Sequence, residues 1–141
     1  MWELKVVRER RQGYAAARVI RSSHDIYEAF RDHFERLDRE EFDVVLLDGK
    51  NRVLGFNVVS LGSLTASLVH PREVFKPAIV GNAAALILIH NHPSGDPEPS
   101  AQDRALTRRL REAGDLLGIR ILDHVVIGDS RFRSFVDAGL F

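Results

Sequence analysis

The chain has 141 residues, of which 45% are hydrophobic, and its 20 basic and 20 acidic side chains give a formal net charge of zero. This size fits one domain with a sizeable core, and the neutral charge gives no general attraction to nucleic acid or acidic membranes. The absence of cysteine excludes disulfides and cysteine-ligated metal sites, and the longest apolar run, Ala83 to Ile89, is too short to cross a bilayer, so we expect a cytoplasmic protein without a membrane partner.

The N-terminal part is predicted to form an arm followed by a helix. Residues 1–19 are assigned to an N-terminal strand or arm, and residues 20–141 to the main domain. A helix is predicted from Ser22, because Ser22 and Asp25 have the spacing of a helix cap. Its apolar residues recur at steps of four, four and three and form one stripe that should pack on a sheet: Ile26, Phe30, Phe34 and Leu37.

A β-hairpin is predicted next, with strands over Phe42 to Leu47 and Val53 to Ser60 and a turn between them. Alternation predicts that three residues of the second strand share one face: Leu54, Phe56 and Val58. A further short strand is predicted within Leu61 to Val69.

Two more helices are predicted. The first opens at Pro71 and is expected to bury Val74, Phe75, Ala78 and Ile79, while Pro77 in its interior should cost about 3 kcal/mol and kink it. The second begins at Ser100 and ends at Gly118, with an apolar stripe of Leu106, Leu110 and Leu117. Its several arginines are more typical of a solvated helix face than of a nucleic-acid surface, because acids lie nearby and the chain is neutral.

The central stretch, Leu86 to Asp103, carries the candidate chemistry. A buried strand ends in His90 and His92, which are two residues apart and therefore face the same side. A short proline-rich loop then reaches Ser100, a predicted N-cap, and Asp103 can swing its carboxylate back toward the histidines. Two nitrogens and one oxygen around an open fourth position would suit a catalytic zinc site. Each residue also has a structural explanation, since strand-end histidines are common and Ser100 with Asp103 could form only a capping box.

These elements predict an α/β fold with a mixed, largely antiparallel sheet and helices on both faces, because helices interleave with hairpins and one long central strand. After the central helix, strands are predicted over Ile119 to Ile127 and Arg131 to Phe135. A zinc deaminase is excluded because its site requires cysteines, and the H-E-x-x-H pattern of another class of metalloprotease is absent.

The pattern H-x-H-x7-S-x-x-D resembles the JAMM motif of MPN/JAB-domain metalloproteases, and the fuller H-N-H-P-S-G-D-P-x-P-S-x-x-D resembles the RadC family of bacterial JAB-domain proteins. The segments E-x-F-x-V-x-x-L-D, V-H-P-R-E, N-A-A-A and L-D-H-V-V-I-G are also similar to that family. The resemblance runs from about Ile20 to the C-terminus. It implies the JAB/MPN fold, whose layout is similar to that of the cytidine deaminases.

The resemblance also implies the roles of the site residues. His90, His92 and Asp103 would hold Zn²⁺, and Ser100 would donate to the oxyanion. A glutamate at the head of the hairpin would take a proton from the attacking water: Glu40 if the chain is aligned on E-x-F, and Glu41 under a different JAMM spacing. The two are neighbours on opposite faces of an extended chain, so only one can point into the site. We favour Glu40.

The resemblance implies a zinc metallopeptidase that cleaves a peptide or isopeptide bond in a peptide or protein substrate, with the Leu61 to Val69 strand lining the substrate groove. The alternative is a DNA-repair-associated accessory module that binds DNA or protein. Longer RadC-like proteins begin with a helix-hairpin-helix region that this sequence lacks, which weakens the expectation of DNA binding. A scaffold domain without catalysis is disfavoured because all ligand positions are filled.

Overall fold

A computed structural model describes residues 18–62 and 69–141, together with residues 1–3, 5 and 9. Most of the predicted N-terminal arm and residues 63–68 of the predicted groove strand lie outside the described residues. The helices and strands of the described part are α1 (Ser23–Glu35), β1 (Glu41–Leu47), β2 (Val53–Leu61), α2 (Pro71–Val80), β3 (Ala85–Asn91), α3 (Ala101–Leu117), β4 (Arg120–Ile127) and β5 (Phe132–Ser134). No helix among these residues is long and apolar enough to cross a membrane.

The strands form one sheet in the order β2-β1-β3-β4-β5. β3 and β4 pair in parallel and the other neighbours pair antiparallel. The parallel pair follows from the chain path, because α3 carries the chain from the end of β3 back to the start of β4. The prediction of a mixed, largely antiparallel α/β sheet is confirmed.

Helices cover both faces of the sheet, as predicted. α1 packs on one face, and its apolar stripe joins a core cluster with alternate residues of the central strands: Val45, Leu47, Ile87, Ile89 and Val125. α2 and α3 pack on the other face, over Val44, Leu46, Leu86 and Leu88. β1 and β3 are buried along their whole length, which explains their almost continuous apolar sequences.

The helix caps form where the sequence predicts them, and α1 shows the pattern well. Ser22 caps α1 and forms a capping box with Asp25. Ile26, Phe30 and Phe34 are buried, while Leu37 lies beyond the helix and packs partly against the same cluster.

The predicted shared face of Leu54, Phe56 and Val58 holds for Phe56 and Val58 and fails at Leu54. Phe56 and Val58 pair with Val45 and Asp43, two residues apart in β1, so both lie on the α1 side, although Val58 is exposed. Leu54 is exposed and has no partner in the register of β1, whereas Val53 packs on the α1 side. The register shifts once beside Leu54 and again beside Val59. A β-bulge adds one residue and moves every following side chain to the other face, so the strict alternation assumed from the sequence does not hold.

Two further apolar residues predicted as buried are exposed: Ile79 in α2 is 55% exposed and Leu117 in α3 is 49% exposed. α2 includes Pro77 and continues to its predicted end, with Val74, Phe75 and Ala78 supplying the buried stripe. In α3, the stripe of buried residues continues beyond Leu110 at Gly114. A Cβ at this position would lie 2.5 Å from the carbonyl oxygen of Ile119, so the chain packs there too closely for a side chain.

Candidate metal centre

Two histidines lie at the end of β3. The Nε2 atoms of His90 and His92 are 3.0 Å apart, as expected for residues two apart on one face of an extended chain. The His90 side chain is 1% exposed and the His92 side chain is 15% exposed. The pair is therefore buried on one side and reachable from solvent at His92.

α3 brings Asp103 to the same point. Its Oδ2 lies 3.1 Å from Nε2 of His92, and its Oδ1 lies 3.4 Å from Nε2 of His90. The three side chains offer ligand atoms that all lie within 4.8 Å of one another. This donor set fits zinc, which takes imidazole nitrogens and carboxylate oxygens and keeps one position open in catalytic sites.

Ser100 and Asp103 also form the N-terminal cap of α3, and this capping role is compatible with metal binding by Asp103. The hydroxyl of Ser100 accepts a hydrogen bond from the backbone N–H of Asp103 at 3.0 Å. In return, Oδ2 of Asp103 accepts from the backbone N–H of Ser100 at 2.8 Å. The cap thereby holds the carboxylate in the orientation in which it faces both histidines.

A buried chain of hydrogen bonds determines the tautomer of His90. Thr107 donates its hydroxyl proton to the carbonyl of Asp103 at 2.7 Å, so its oxygen accepts from Nδ1 of His124 at 2.6 Å. Burial, together with the neighbouring His90, lowers the pKa of His124 well below its usual value, so the ring is neutral. Nε2 of His124 therefore accepts from Nδ1 of His90 at 2.7 Å, and Nε2 of His90 carries a lone pair.

The loop after β3 determines the tautomer of His92 in the same way. Nδ1 of His92 donates to the carbonyl of Asp96 at 2.8 Å, which leaves its Nε2 as the lone-pair atom. Gly95 has a φ of +89°, and its carbonyl accepts from the backbone N–H of Asp129 at 2.8 Å. A Cβ at Gly128 would lie 2.3 Å from the same carbonyl oxygen, so this close contact requires glycine. Both histidines thus present lone pairs to the centre.

The charges of the centre support a bound cation. When a proton takes the place of a cation on Nε2 of His90 or His92, that N–H donates to Asp103. Burial works to raise the pKa of Asp103, but these hydrogen bonds outweigh it and hold that pKa well below its usual range. The hydrogen bond to Asp103 raises the pKa of His92, and the negative charge of Glu40 adds to this effect. Asp103 is therefore an anion at all ordinary pH values, and a proton competes with a metal ion at His92.

Glu40 and Glu41 have different surroundings. Glu40 directly precedes β1, and its negative charge acts on His92. Glu41 turns to the α1 side, where its Oε1 lies 2.5 Å from Nε2 of His33. Glu41 is thus engaged away from the histidines, and the assignment of Glu40 as the acid–base residue stays a prediction.

Ser100 lies exposed at the start of α3. In the cap its oxygen is an acceptor, so its hydroxyl proton remains available to a substrate oxygen. Its assignment to the oxyanion stays a prediction.

The sequence analysis missed Asn91, His124 and Thr107. Asn91 and His124 lie inside the motifs H-N-H-P-S-G and L-D-H-V-V-I-G, but neither has a partner nearby in the sequence. A possible signal is the polar character of His124 and Asp123 within an otherwise apolar strand, since buried polar residues require partners.

We predict that His124→Phe lowers zinc affinity about 10- to 100-fold, because partners behind a ligand fix its tautomer and basicity. Phenylalanine keeps the ring stacked on Phe135, whose centroid is 4.7 Å away, but it cannot bond to His90 or Thr107. The measurement is a competition titration with a chromophoric zinc chelator. His24→Phe, at an exposed position of α1, is the control. An unchanged zinc affinity in His124→Phe would contradict this role.

Comparisons with known proteins show to which family the chain belongs. Residues 20–140 match the model of the RadC-like JAB domain. A UPF0758 protein of Geobacter sulfurreducens is 57% identical over 119 residues, which cover 84% of this chain and 52% of the relative. A UPF0758 protein of Moorella thermoacetica is 56% identical over 122 residues, covering 86% of this chain and 53% of the relative. The chain thus spans about half the length of the curated relatives it matches. On the family model and these identities, the chain belongs to the RadC family of JAB-domain proteins.

Proposed function

We propose that this protein is a zinc-dependent hydrolase of the JAMM type that cleaves a peptide or isopeptide bond. The observation that carries the proposal is the convergence of two imidazole lone pairs and a carboxylate beside a glutamate. The Nε2 atoms of His90 and His92 are 3.0 Å apart with their protons on the opposite ring nitrogens, so a cation is the partner that suits them.

The residues around the centre have separate tasks in this proposal. His90, His92 and Asp103 hold the ion, which acts as a Lewis acid and makes water a usable nucleophile near neutral pH. The carboxylate of Glu40 accepts a proton from the attacking water and returns it to the nitrogen of the departing amine. The hydroxyl of Ser100 donates to the oxygen that develops negative charge.

Two surfaces beside the centre could receive an extended substrate. β2 lies at one edge of the sheet, and the backbone N–H of Gly62, directly after β2, donates to the carbonyl of Glu40 at 2.8 Å. A peptide that pairs with an edge strand would therefore run toward the centre. A cavity of about 220 Å³ opens next to His92 and Asn91, between the end of α1 and the loop after β3.

Asn91 positions Glu40 in this proposal. Its Nδ2 donates to the carbonyl of Arg39 at 3.0 Å, and its Oδ1 accepts from the backbone N–H of Glu41 at 2.8 Å. One buried side chain thus clamps the backbone on both sides of Glu40. Its own position in β3 lies between the two metal-binding histidines, so the clamp ties the acid–base residue to the ligands.

We predict that Asn91→Ala lowers kcat about 100-fold while zinc content stays unchanged, because a displacement of about 1 Å at a reacting group can have an effect of this size. The measurements are steady-state kinetics and metal content of the purified variant. Asn57→Ala is the matched control, since the Asn57 amide among the described residues hydrogen-bonds only to the neighbouring carbonyl of Val58. Full activity in Asn91→Ala would contradict the proposal that Asn91 positions Glu40.

The test of the proposed function is a substrate screen with the zinc-loaded protein. Quenched fluorescent peptides and lysine-linked isopeptides are incubated with the wild type, with the His92→Ala variant and with wild type treated with chelator. Cleavage by the wild type that the variant and the chelator abolish supports the proposal. Absence of cleavage across both bond types, together with DNA binding that weakens steeply with salt, would instead favour an accessory module that binds DNA.

A further inference from the structure

A second cluster of metal-binding side chains lies on the face of the sheet opposite the candidate metal centre. Glu41 and Asp43 are two apart in β1 and point toward α1, where they meet His33. Nε2 of His33 is 2.5 Å from Oε1 of Glu41 and 3.6 Å from Oδ2 of Asp43. The side chains of Glu41 and Asp43 are 5% and 0% exposed, and His33 is 18% exposed. The cluster is therefore buried except at one edge of the imidazole.

Asp43 is the member of this cluster whose carboxylate lacks hydrogen bonds. Within the described part of the chain, neither of its carboxylate oxygens has a hydrogen-bond partner. Burial, and then the negative charge of Glu41, raise the pKa of Asp43 to about 9. A fully buried carboxyl group without a donor is costly, and proteins normally pair such groups or use them to coordinate metals.

The charge and the spacing of the cluster suit a divalent cation. The two carboxylates can supply two negative charges, which one divalent cation balances, and such an ion would contact all three side chains at once. Two ligands about 2.1 Å from one ion lie about 3.4 Å apart at a tetrahedral angle. The 3.6 Å between His33 and Asp43 already matches this spacing.

We propose that His33, Glu41 and Asp43 bind a divalent first-row metal ion of the Zn²⁺ or Mn²⁺ type, at a structural site separate from the candidate metal centre. One imidazole and two carboxylates are a suitable ligand set for such ions. The Glu41 and His33 atoms, which are 2.5 Å apart, would move apart by about 0.9 Å to bind it. The ion would join α1 to the start of β1, next to Glu40, and its binding does not depend on the proposed hydrolysis.

The experiment measures bound zinc in four proteins after saturation with ZnCl₂ and removal of free metal. We expect about two ions per chain in the wild type, about one in His92→Ala, about one in Asp43→Asn and none in the double variant. Asn keeps the shape of Asp43 and removes its charge, so the metal-free variant should unfold at the same temperature as the metal-free wild type or higher. Asp32→Asn, whose side chain is 80% exposed in the same helix as His33, is the control and should keep both ions.

A second readout does not depend on the folding of any Asp43 variant. Zinc added to the His92→Ala protein should raise its Tm, and Asp43→Asn or His33→Gln in that background should weaken zinc binding by at least about 100-fold, since even partners behind a ligand can have that effect. The proposal is overturned if His92→Ala binds no zinc and its Tm does not change. It is also overturned if Asp43→Asn still binds two ions.

Discussion

Replacing His92 with alanine should remove zinc from the candidate metal centre and abolish hydrolysis in the same step. His92 supplies one of three ligands, and its Nε2 lies 3.1 Å from Asp103 and 3.0 Å from His90. A catalytic zinc site with two protein ligands loses both affinity and geometry, so we expect activity to fall by at least about 1000-fold. Elemental analysis of the purified protein and kinetics on a cleaved substrate measure the two losses.

His70→Ala is the matched control for this variant. His70 lies exposed before α2 and its side chain makes no capping hydrogen bond, so its replacement should leave zinc and activity unchanged. The proposed centre would be wrong if His92→Ala bound as much zinc as the wild type at every site. If the variant loses zinc but hydrolyses at the wild-type rate, the zinc ion is not required for hydrolysis.

Replacing Glu40 with glutamine should have an equally large effect on activity and none on zinc content. Glutamine has almost the same shape as glutamate but cannot accept a proton at neutral pH. A positioned acid–base group contributes about 100- to 10,000-fold, so kcat should fall within that range. Glu40 precedes β1 and is not a ligand of the candidate centre, so the zinc content should equal that of the wild type.

Two further substitutions serve as a control for charge and as a test of the alternative residue. Glu112→Gln, at an exposed position of α3, controls for loss of one negative charge and should keep full activity. Glu41→Gln tests the alternative assignment, because Glu41 faces His33 on the other side of the sheet. Wild-type hydrolysis by Glu40→Gln, combined with its loss in Glu41→Gln, would transfer the acid–base role to Glu41.

The sequence by itself determined the features that depend on short spacing. His90 and His92 share a face because alternate residues of any strand do, and Ser100 with Asp103 caps α3 because a cap spans only three residues. The order of helices and strands was predictable for the same reason, since hydrophobic periodicity acts over one element at a time. The error at Leu54 arose where a single inserted residue interrupted the alternation.

Only the tertiary structure decided the features that depend on contacts between distant segments. Asn91 clamps residues about fifty positions earlier, His124 orients His90 across a parallel strand pair, and His33 of α1 meets Asp43 of β1. The contact of Glu41 with His33 of α1 likewise could not be read from the sequence. The physical reason is that hydrogen bonds and ion pairs act over about 3 to 4 Å, and which side chains come that close is set by strand order and register rather than by sequence spacing.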